Sequence, residues 1–192
     1  MRGLYGGGKT ISLVYYLEQM RRKYGDKICI MTNFFYEGQD APMTGWKALL
    51  EEYDRPVIFA YDELQNDFLS RESKNFPAPL MGEITQTRKG HGKQIVYTTQ
   101  TFSTVDKAFR NLTTDIVLCK TFFGRLTKFK YYRKAAFEQR ESTVSIDSKI
   151  KIRPYKKVKF VQSDYLRNRY DSYKRLLSFR NVDFADRRIE TD

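Results

Sequence analysis

The sequence is poor in histidine, cysteine and tryptophan. Its 192 residues include one histidine, two cysteines and one tryptophan. The single histidine, His91, excludes a histidine-rich metal site, and two cysteines are too few for a disulfide framework. Cys29 and Cys119 each lie in an apolar run typical of a strand, so we expect two reduced core residues. This pattern indicates a cytoplasmic protein.

Long apolar segments are also lacking. No run approaches the length of a membrane span, and the N-terminus does not have the pattern of a signal peptide. We therefore expect no membrane span. Hydrophobic residues make up 41% of the chain and charged residues 30%, which is ordinary for a globular protein. The length suits one domain with a small appendage.

Acidic residues are scarce in the last third of the chain. Residues 1–119 hold 15 Lys/Arg and 14 Asp/Glu, whereas residues 120–192 hold 20 and 9. Nearly all of the net charge of +12 therefore belongs to the C-terminal segment. A basic segment with interleaved aromatics attracts a polyanion, most often nucleic acid. The alternative is a solvated basic surface without a partner.

The segment Gly3–Thr10 matches the P-loop pattern G-x-x-x-x-G-K-[ST]. Glycines let the backbone wrap around a polyphosphate, and amide groups at the start of a helix point at the anion. Lys9 would reach the β- and γ-phosphates, and the Thr10 hydroxyl would bind Mg²⁺. The predicted nucleotide-binding residues are Gly3, Gly6, Gly7, Gly8, Lys9 and Thr10.

The residues after the motif have helical periodicity, and those before it are few. An apolar stripe predicts a helix over 11–24, formed by Leu13, Tyr16, Leu17, Met20 and Tyr24. A P-loop normally follows a buried strand, yet only Met1 and Arg2 precede this one. Either the chain is a truncated version of a longer reading frame, which we expect, or the sheet forms without that strand.

The apolar run Val57–Tyr61 ends in two carboxylates, Asp62 and Glu63. This order is typical of a Walker B strand, which brings Asp62 to Mg²⁺ while Glu63 polarises the attacking water. An apolar strand ending in an acidic turn is common by itself. The P-loop upstream and one further strand between them make the combination specific, and adjacent carboxylates favour hydrolysis over binding alone.

A third strand, predicted over 94–98, leads to Thr99 and Gln100. Parallel strands end at one edge of a sheet, so Gln100 would lie near the γ-phosphate. There it could hold the attacking water or sense the phosphate. An ordinary polar loop is the alternative.

Strands alternate with helical stretches up to residue 119, which predicts an α/β fold with a mostly parallel sheet flanked by helices. Short helices are predicted over 46–53, 80–88 and 104–112, a loop over 66–80 and a strand over 115–119. We expect residues 1–120 to form a P-loop ATPase core, and 121–192 a basic extension packed on it.

The extension has a different pattern. Gly124 separates two runs typical of a β-hairpin, Val117–Phe123 and Leu126–Arg133. A strand is expected at Val158–Val161 and a helix over 164–178. The basic residues expected to contact DNA are Lys128, Lys130, Arg133, Lys156, Lys157 and Lys159.

The order of these elements resembles the FtsK/HerA superfamily of DNA-pumping ATPases. Within it, residues 1–120 are similar to Zot-like proteins of filamentous phages and to viral genome-packaging ATPases. The resemblance rests on short pieces in a fixed order: Gly3–Thr10, Thr32-Asn33, Tyr61-Asp62-Glu63, Arg88-Lys89-Gly90, Val96–Gln100, Val105-Asp106-Lys107 and Arg110.

The resemblance implies a RecA-like core that assembles into a homo-oligomeric ring of five or six, with ATP and Mg²⁺ at subunit interfaces. It also implies an arginine finger from a neighbour, for which Arg88 is preferred over Arg71 and Arg110. A soluble motor acting on DNA without sequence specificity, in the host cytoplasm and with capsid or portal partners, is then expected.

Two other functions fit parts of the sequence. One is a small P-loop kinase acting on a nucleotide or metabolite, for which residues 120–135 could imitate an arginine-bearing lid. The other is a nucleic-acid-binding protein with a degenerate P-loop. The intact Lys9, Thr10, Asp62 and Glu63 argue against the passive binder.

Overall fold

The computed structural model describes residues 1, 7–43, 45–66, 82, 92–143 and 152–171. Within them the helices are α1 (Lys9–Tyr24), α2 (Lys107–Leu112), α3 (Lys134–Thr143) and α4 (Asp164–Asn168). The strands are β1 (Cys29–Thr32), β2 (Phe35–Tyr36), β3 (Ala41–Pro42), β4 (Val57–Tyr61), β5 (Lys93–Tyr97), β6 (Asp115–Phe122), β7 (Leu126–Arg133), β8 (Lys156–Val161) and β9 (Tyr170–Asp171).

A parallel sheet with strand order β3-β1-β4-β5 confirms the predicted α/β architecture. All residues of β1 and β4 are buried, as in a sheet covered on both faces. Ile30, Ile58 and Ala60 pack in the cluster that contains α1. Met31 and Phe59 pack on the opposite face with α2. Successive side chains of β4 therefore pack in two hydrophobic clusters, one on each face of the sheet, and this is why every position of the strand is apolar.

Helix α1 covers the first of these faces. It begins at Lys9, and its stripe packs as predicted, since Leu13 and Leu17 are fully buried. Tyr16 and Met20 are partly buried against the same cluster. The stripe ends at Tyr24, which is exposed. Three basic residues in the last turn complement the negative end of the helix dipole.

Met1 forms backbone hydrogen bonds with the C-terminal end of β5. The Met1 amino group donates to the Tyr97 carbonyl, and the Thr99 amide donates to the Met1 carbonyl at 2.9 Å. Between these two contacts, the Thr98 amide donates to the Tyr61 carbonyl of β4, and the Thr98 carbonyl accepts from the Leu64 amide. Met1 thus lies beside β5, on the side opposite β4.

The second sheet is antiparallel, with strand order β6-β7-β8. It contains the predicted hairpin, and the predicted core boundary after residue 120 falls inside β6. Val117, Phe129 and Phe160 share one buried cluster with α1. The Tyr15 ring of α1 stacks on Phe160, with centroids 4.1 Å apart. The basic segment is therefore packed on the core through its own aromatics.

The helix predicted over 164–178 is much shorter. Ser163 caps α4, its hydroxyl accepting from the Leu166 amide at 3.2 Å, and the helix ends at Asn168. Strand β9 follows and pairs antiparallel with β2. Arg169 donates to Glu18 at 2.9 Å and to Glu37 at 2.7 Å. These distant partners outweigh the local helical pattern of the segment.

Other local predictions differ in detail. The helix predicted over 46–53 is a 3₁₀ turn at Trp46–Leu49, and the one predicted over 104–112 is a 3₁₀ turn at Phe102–Thr104 followed by α2. Helix α3 was not predicted. The loop predicted over 66–80 and the helix over 80–88 lie almost wholly outside the described residues.

The expected burial of the two cysteines is confirmed. Cys29 and Cys119 are both buried and unpaired with each other. In the part of the chain that the structure describes, no helix is long and apolar enough to cross a membrane.

The antiparallel sheet places lysines directly opposite one another. Lys128 of β7 lies opposite both Lys120 and Lys159, and Lys130 lies opposite Lys157. Like charges at directly opposed positions destabilise a sheet. The register of this sheet therefore has an electrostatic cost, which its buried aromatic face must offset.

We expect Lys157→Glu to raise the free energy of unfolding by roughly 0.5 kcal/mol at low salt, because it converts a like-charge pair with Lys130 into an ion pair. The gain should disappear near 1 M salt, where exposed charges are screened. Chemical denaturation of both proteins measures it. Lys27→Glu, an exposed position outside the sheet, is the matched control. An equal gain in this control would mean that net charge, and not the pair, is responsible.

Candidate active site

The polar residues singled out in the sequence lie at one edge of the parallel sheet. This edge is formed by the C-terminal ends of β1, β4 and β5 and by the start of α1. Thr10 comes from α1, Asp62 and Glu63 follow β4, and Gln100 follows β5. The parallel topology thus brings together residues up to 90 positions apart, as the sequence predicted.

The described end of the P-loop packs against the antiparallel sheet. Gly8 precedes α1 with a φ of 78°, and a Cβ atom there would lie 2.3 Å from the Thr121 hydroxyl. Thr121 also donates to the Gly7 carbonyl at 3.4 Å. Only glycine fits at Gly8, for both conformational and steric reasons. Gly3 and Gly6 lie outside the described residues.

A partly buried carboxylate, that of Asp62, lies at the centre of the site. The Thr10 hydroxyl donates to the two Asp62 oxygens at 3.1 and 3.0 Å, and Thr98 donates to Oδ1 at 2.6 Å. Burial raises the pKa of the Asp62 carboxyl, the bonds from Thr98 and Thr10 oppose this rise, Glu63 adds to it, and Lys9 opposes it. A nearby cation is the natural counterpart of such a group.

Asn33 holds the backbone of Asp62 in place. Its side-chain amide donates to the Asp62 carbonyl at 3.2 Å, and its side-chain carbonyl accepts from the Asp62 amide at 2.7 Å. Asn33 is itself buried at the end of β1. This two-way contact fixes the point where β4 ends, so the direction of the Asp62 side chain is set by the neighbouring strand.

Glu63 is held by three contacts in a strained backbone conformation. Its φ of 54° is in the left-handed region, which is costly for a residue with a side chain. Its amide donates to the Thr98 hydroxyl at 2.8 Å. Gln100 donates to Oε1 at 2.9 Å, and Asn66 donates to Oε2 at 3.1 Å. The carboxylate is therefore fixed in direction before any substrate binds.

The oxygen donors of this site fit Mg²⁺. Proteins usually hold Mg²⁺ with one or two carboxylates, phosphate oxygens and water, and Thr10 and Asp62 offer adjacent oxygens of the required kind. Among the described residues, no group of three or more His, Cys, Asp or Glu side chains could hold a metal ion. Substrate phosphates and water would therefore complete the coordination.

Only one of the three arginine-finger candidates, Arg110, lies within the described residues. Arg88 and Arg71 lie outside them. Arg110 lies on α2, partly buried, and its Nε atom has no hydrogen-bond partner within the part of the chain described. The assignment of the finger to Arg88 stays a prediction.

Sequence reasoning missed the role of Thr98. This threonine is completely buried and joins the two carboxyl residues, since it donates to Asp62 and accepts from the Glu63 amide. Its only signal in the sequence is a position next to Thr99 and Gln100. The buried Gln162 was missed as well, although it donates to both Thr121 and Thr127 beneath the P-loop.

The predicted DNA-contacting residues fall on two sides of the antiparallel sheet. Their cross-strand register places Lys128, Lys130, Lys157 and Lys159 on one face, together with Lys120, which sequence analysis did not single out. Arg133 is paired with Asp115 at 2.9 Å and lies over the Tyr155 ring. Lys156 lies over the Tyr131 ring, on the face turned toward the core.

Comparison with known proteins finds similarity only in structure. No protein-family model matches the sequence, and no curated protein matches it. The N-terminal domain of zonular occludens toxin from Neisseria meningitidis superimposes with a TM-score of 0.54 at 13% identity, over 88% of this chain and 97% of that one.

Weaker similarity is found to the genome packaging NTPase B204 of Sulfolobus turreted icosahedral virus 2. Its complex with ATP-gammaS gives a TM-score of 0.45 at 12% identity, over 88% of this chain and 91% of that one. Its AMP complex gives 0.46 at 11% identity, over 70% and 91%. The first similarity confirms the predicted fold class and, at the level of the fold, the resemblance to Zot-like proteins: the chain has the α/β fold of the zonular occludens toxin N-terminal domain.

Proposed function

We propose that this chain is a P-loop ATPase that hydrolyses ATP to translocate DNA, during packaging of a viral genome. One observation carries the proposal. The P-loop residue Thr10 bonds to Asp62, and Gln100 bonds to the adjacent Glu63, at the edge of the sheet where a nucleotide would lie. The combination provides a metal-binding pair beside an oriented general base, which nucleotide hydrolysis requires.

The proposed mechanism assigns one task to each side chain. Lys9 would bind the β- and γ-phosphates, and Thr10 and Asp62 would hold Mg²⁺, which would neutralise charge on the phosphoryl oxygens. Glu63 accepts the proton of the attacking water. Gln100 keeps the Glu63 carboxylate turned toward that water. Its contact with Glu63 supports this positioning role over direct phosphate sensing.

The coupling to DNA is supported by charge. The C-terminal 73 residues hold 20 Lys/Arg against 9 Asp/Glu, and strands from this segment pack directly beneath the P-loop. Contacts of lysines with phosphates carry no base specificity. A motor of this type requires a ring of five or six copies around the DNA, with capsid or portal proteins as further partners.

The kinase alternative gains no support from its expected lid. Residues 120–122 and 126–133 belong to the two paired strands of a hairpin, joined by a turn at 123–125, and the hairpin packs on α1. A kinase would transfer phosphate to a small acceptor, and the motor would release inorganic phosphate in a DNA-dependent manner. Measuring both products with the same protein separates the two functions.

We expect Glu63→Gln to lower ATP turnover by about 10²–10⁴-fold, because the general base is lost. Binding of ATP with Mg²⁺, measured by calorimetry, should persist. Glu138→Gln, an exposed position on α3, is the matched control and should keep full turnover. DNA-stimulated phosphate release that survives Glu63→Gln would contradict the assignment.

Thr98→Val tests the positioning of both carboxylates. It removes a hydroxyl that bonds to Asp62 and Glu63 while keeping the shape of the side chain, and we expect turnover to fall about 10–100-fold. Nucleotide affinity should change less than kcat, because Glu63 is misdirected. Thr98→Ser restores the hydroxyl and should recover most of the activity. If serine and valine variants were equally impaired, packing would explain the loss.

Complementation tests whether Arg88 acts across a subunit interface. Arg88→Ala and Glu63→Gln should each be inactive alone. Mixed subunits should regain activity, because roughly a quarter of the interfaces in a randomly mixed ring then pair an intact glutamate with an intact arginine. Native mass spectrometry with ATP and Mg²⁺ gives the number of subunits. No recovery on mixing, in rings shown to exchange subunits, would exclude Arg88 as the finger.

A further inference from the structure

The outward face of the antiparallel sheet is a continuous basic surface. The register of its strands places eleven residues on this face, none of them acidic. Ile116 and Tyr132, at one end, are buried in a cluster with Phe137 of α3. The other nine are Leu118, Lys120, Phe122, Leu126, Lys128, Lys130, Lys157, Lys159 and Val161. We call these nine residues the lysine face. Four of its five lysines are exposed, and Lys128 at its centre is partly exposed.

The lysines of this face have no acidic partners among the described residues, where no salt bridge includes any of the five. Lys120 and Lys128 instead lie over the Phe122 ring, 5.1 and 4.5 Å from its centroid. Directly opposed lysines repel each other. A bound polyanion would relieve this repulsion at the same time as it gains the attraction of the whole face.

An exposed aromatic ring stands at the end of the lysine face. Phe123, at the tip of the β6–β7 hairpin, is 97% exposed. Its φ is 49° and that of Gly124 is 70°, and the Arg125 amide closes the turn on the Phe122 carbonyl at 3.2 Å. Turns with two left-handed central residues favour asparagine before glycine. The Phe123 backbone is therefore strained, and its ring is not stabilised by burial.

The tip is held firmly in spite of its exposure. Arg125 donates to the Gln162 carbonyl at 3.2 Å and to Asp164 at 2.7 Å. Arg167 donates to the Gly124 carbonyl and, through Nε, to the Gln162 side chain at 3.0 Å. The Phe123 ring is thus presented to solvent from an anchored turn, as a preorganised contact requires.

We propose that the lysine face binds single-stranded DNA, with phosphates on the lysines and one unpaired base stacked on Phe123. This assignment rests on the proposed function and specifies where the DNA lies and in which form. A basic surface combined with an exposed ring is the usual platform for single strands, because every base has a face that stacks. Bases of a duplex are already stacked and leave the ring without a partner.

The lysine face and the P-loop lie on opposite sides of the antiparallel sheet. Thr121 and Thr127 point from the same two strands toward the P-loop, where Thr121 contacts Gly7 and Gly8. Their sequence neighbours Lys120 and Lys128 point to the opposite side. One layer of sheet therefore separates DNA phosphates from nucleotide phosphates, and the two anions occupy different faces of the same strands.

The lysine contribution is tested with the combined variant Lys120→Gln, Lys128→Gln and Lys159→Gln. We expect affinity for a fluorescent oligothymidine to fall about tenfold or more near 0.1 M salt. The negative slope of the logarithm of the association constant against log salt should become less steep by about 2. The matched control changes Arg22, Lys23 and Lys27 to glutamine, three exposed positions elsewhere. An equal loss in the control would overturn the assignment.

The role of the ring is tested with Phe123→Asn. Asparagine suits this turn, so the variant should unfold at or above the wild-type temperature. Its affinity for oligothymidine should fall about 5–100-fold, in the range found for loss of one base–aromatic stack, with no change for a duplex of equal length. Unchanged affinity for the single strand, or equal or tighter binding of the duplex by the wild type, would overturn the single-strand assignment.

Failure of this assignment is distinguishable from failure of the motor. Lys9→Ala should lose ATP hydrolysis and keep oligothymidine binding, since Lys9 lies on the nucleotide side. Lys157→Glu, which should stabilise the fold, must still weaken binding, so loss of affinity cannot be attributed to unfolding. Wild-type binding to anionic lipid vesicles that outcompetes oligothymidine would overturn the lysine face as a DNA site while leaving the ATPase untouched.

Discussion

The Asp62 carboxylate, partly buried and hydrogen-bonded by Thr10 and Thr98, is the constraint on which the site depends. It connects the start of α1 to the ends of β4 and β5. Removing a carboxylate from water is costly unless hydrogen bonds replace those to water, and here Asn33 also fixes the Asp62 backbone. The strand ends therefore cannot shift independently, and the P-loop helix is held against the acidic edge of the sheet.

A second constraint comes from the antiparallel sheet that supports the P-loop. Gly8 can approach Thr121 because it has no side chain, and Gln162 holds Thr121 and Thr127 together from below. The same strands contribute Phe129 and Phe160 to the core around α1. The basic segment thus supports the glycine turn of the candidate site and also forms a charged surface.

Backbone strain is concentrated at two functional candidates. Among the described residues, Glu63 and Phe123 are the non-glycine residues with positive φ. Each is held by several hydrogen bonds from its surroundings, Glu63 through Thr98 and Gln100, and the Phe123 turn through Arg125. Strain of this kind persists only where neighbouring contacts determine the conformation. Glu63 lies in the candidate active site, and Phe123 is exposed at the end of the lysine face.

The sequence alone determined the α/β class and the buried strand β4, and it predicted Lys9, Thr10, Asp62, Glu63 and Gln100 as residues of one site. Those features depend on local pattern: an apolar run, a glycine turn, and polar residues directly after strands. Periodicity also found α1 and the hairpin, because one face of each is buried against the core.

Only the tertiary structure decided how these parts meet. It showed that Thr98 joins the two carboxylates, that Arg169 and β9 end the predicted C-terminal helix after α4, and that five lysines share one face. Each depends on partners distant in the chain, through strand register or through a buried hydrogen bond. The local sequence pattern indicates whether a residue is buried. The residues that it contacts are decided by pairing between segments that are distant in the chain.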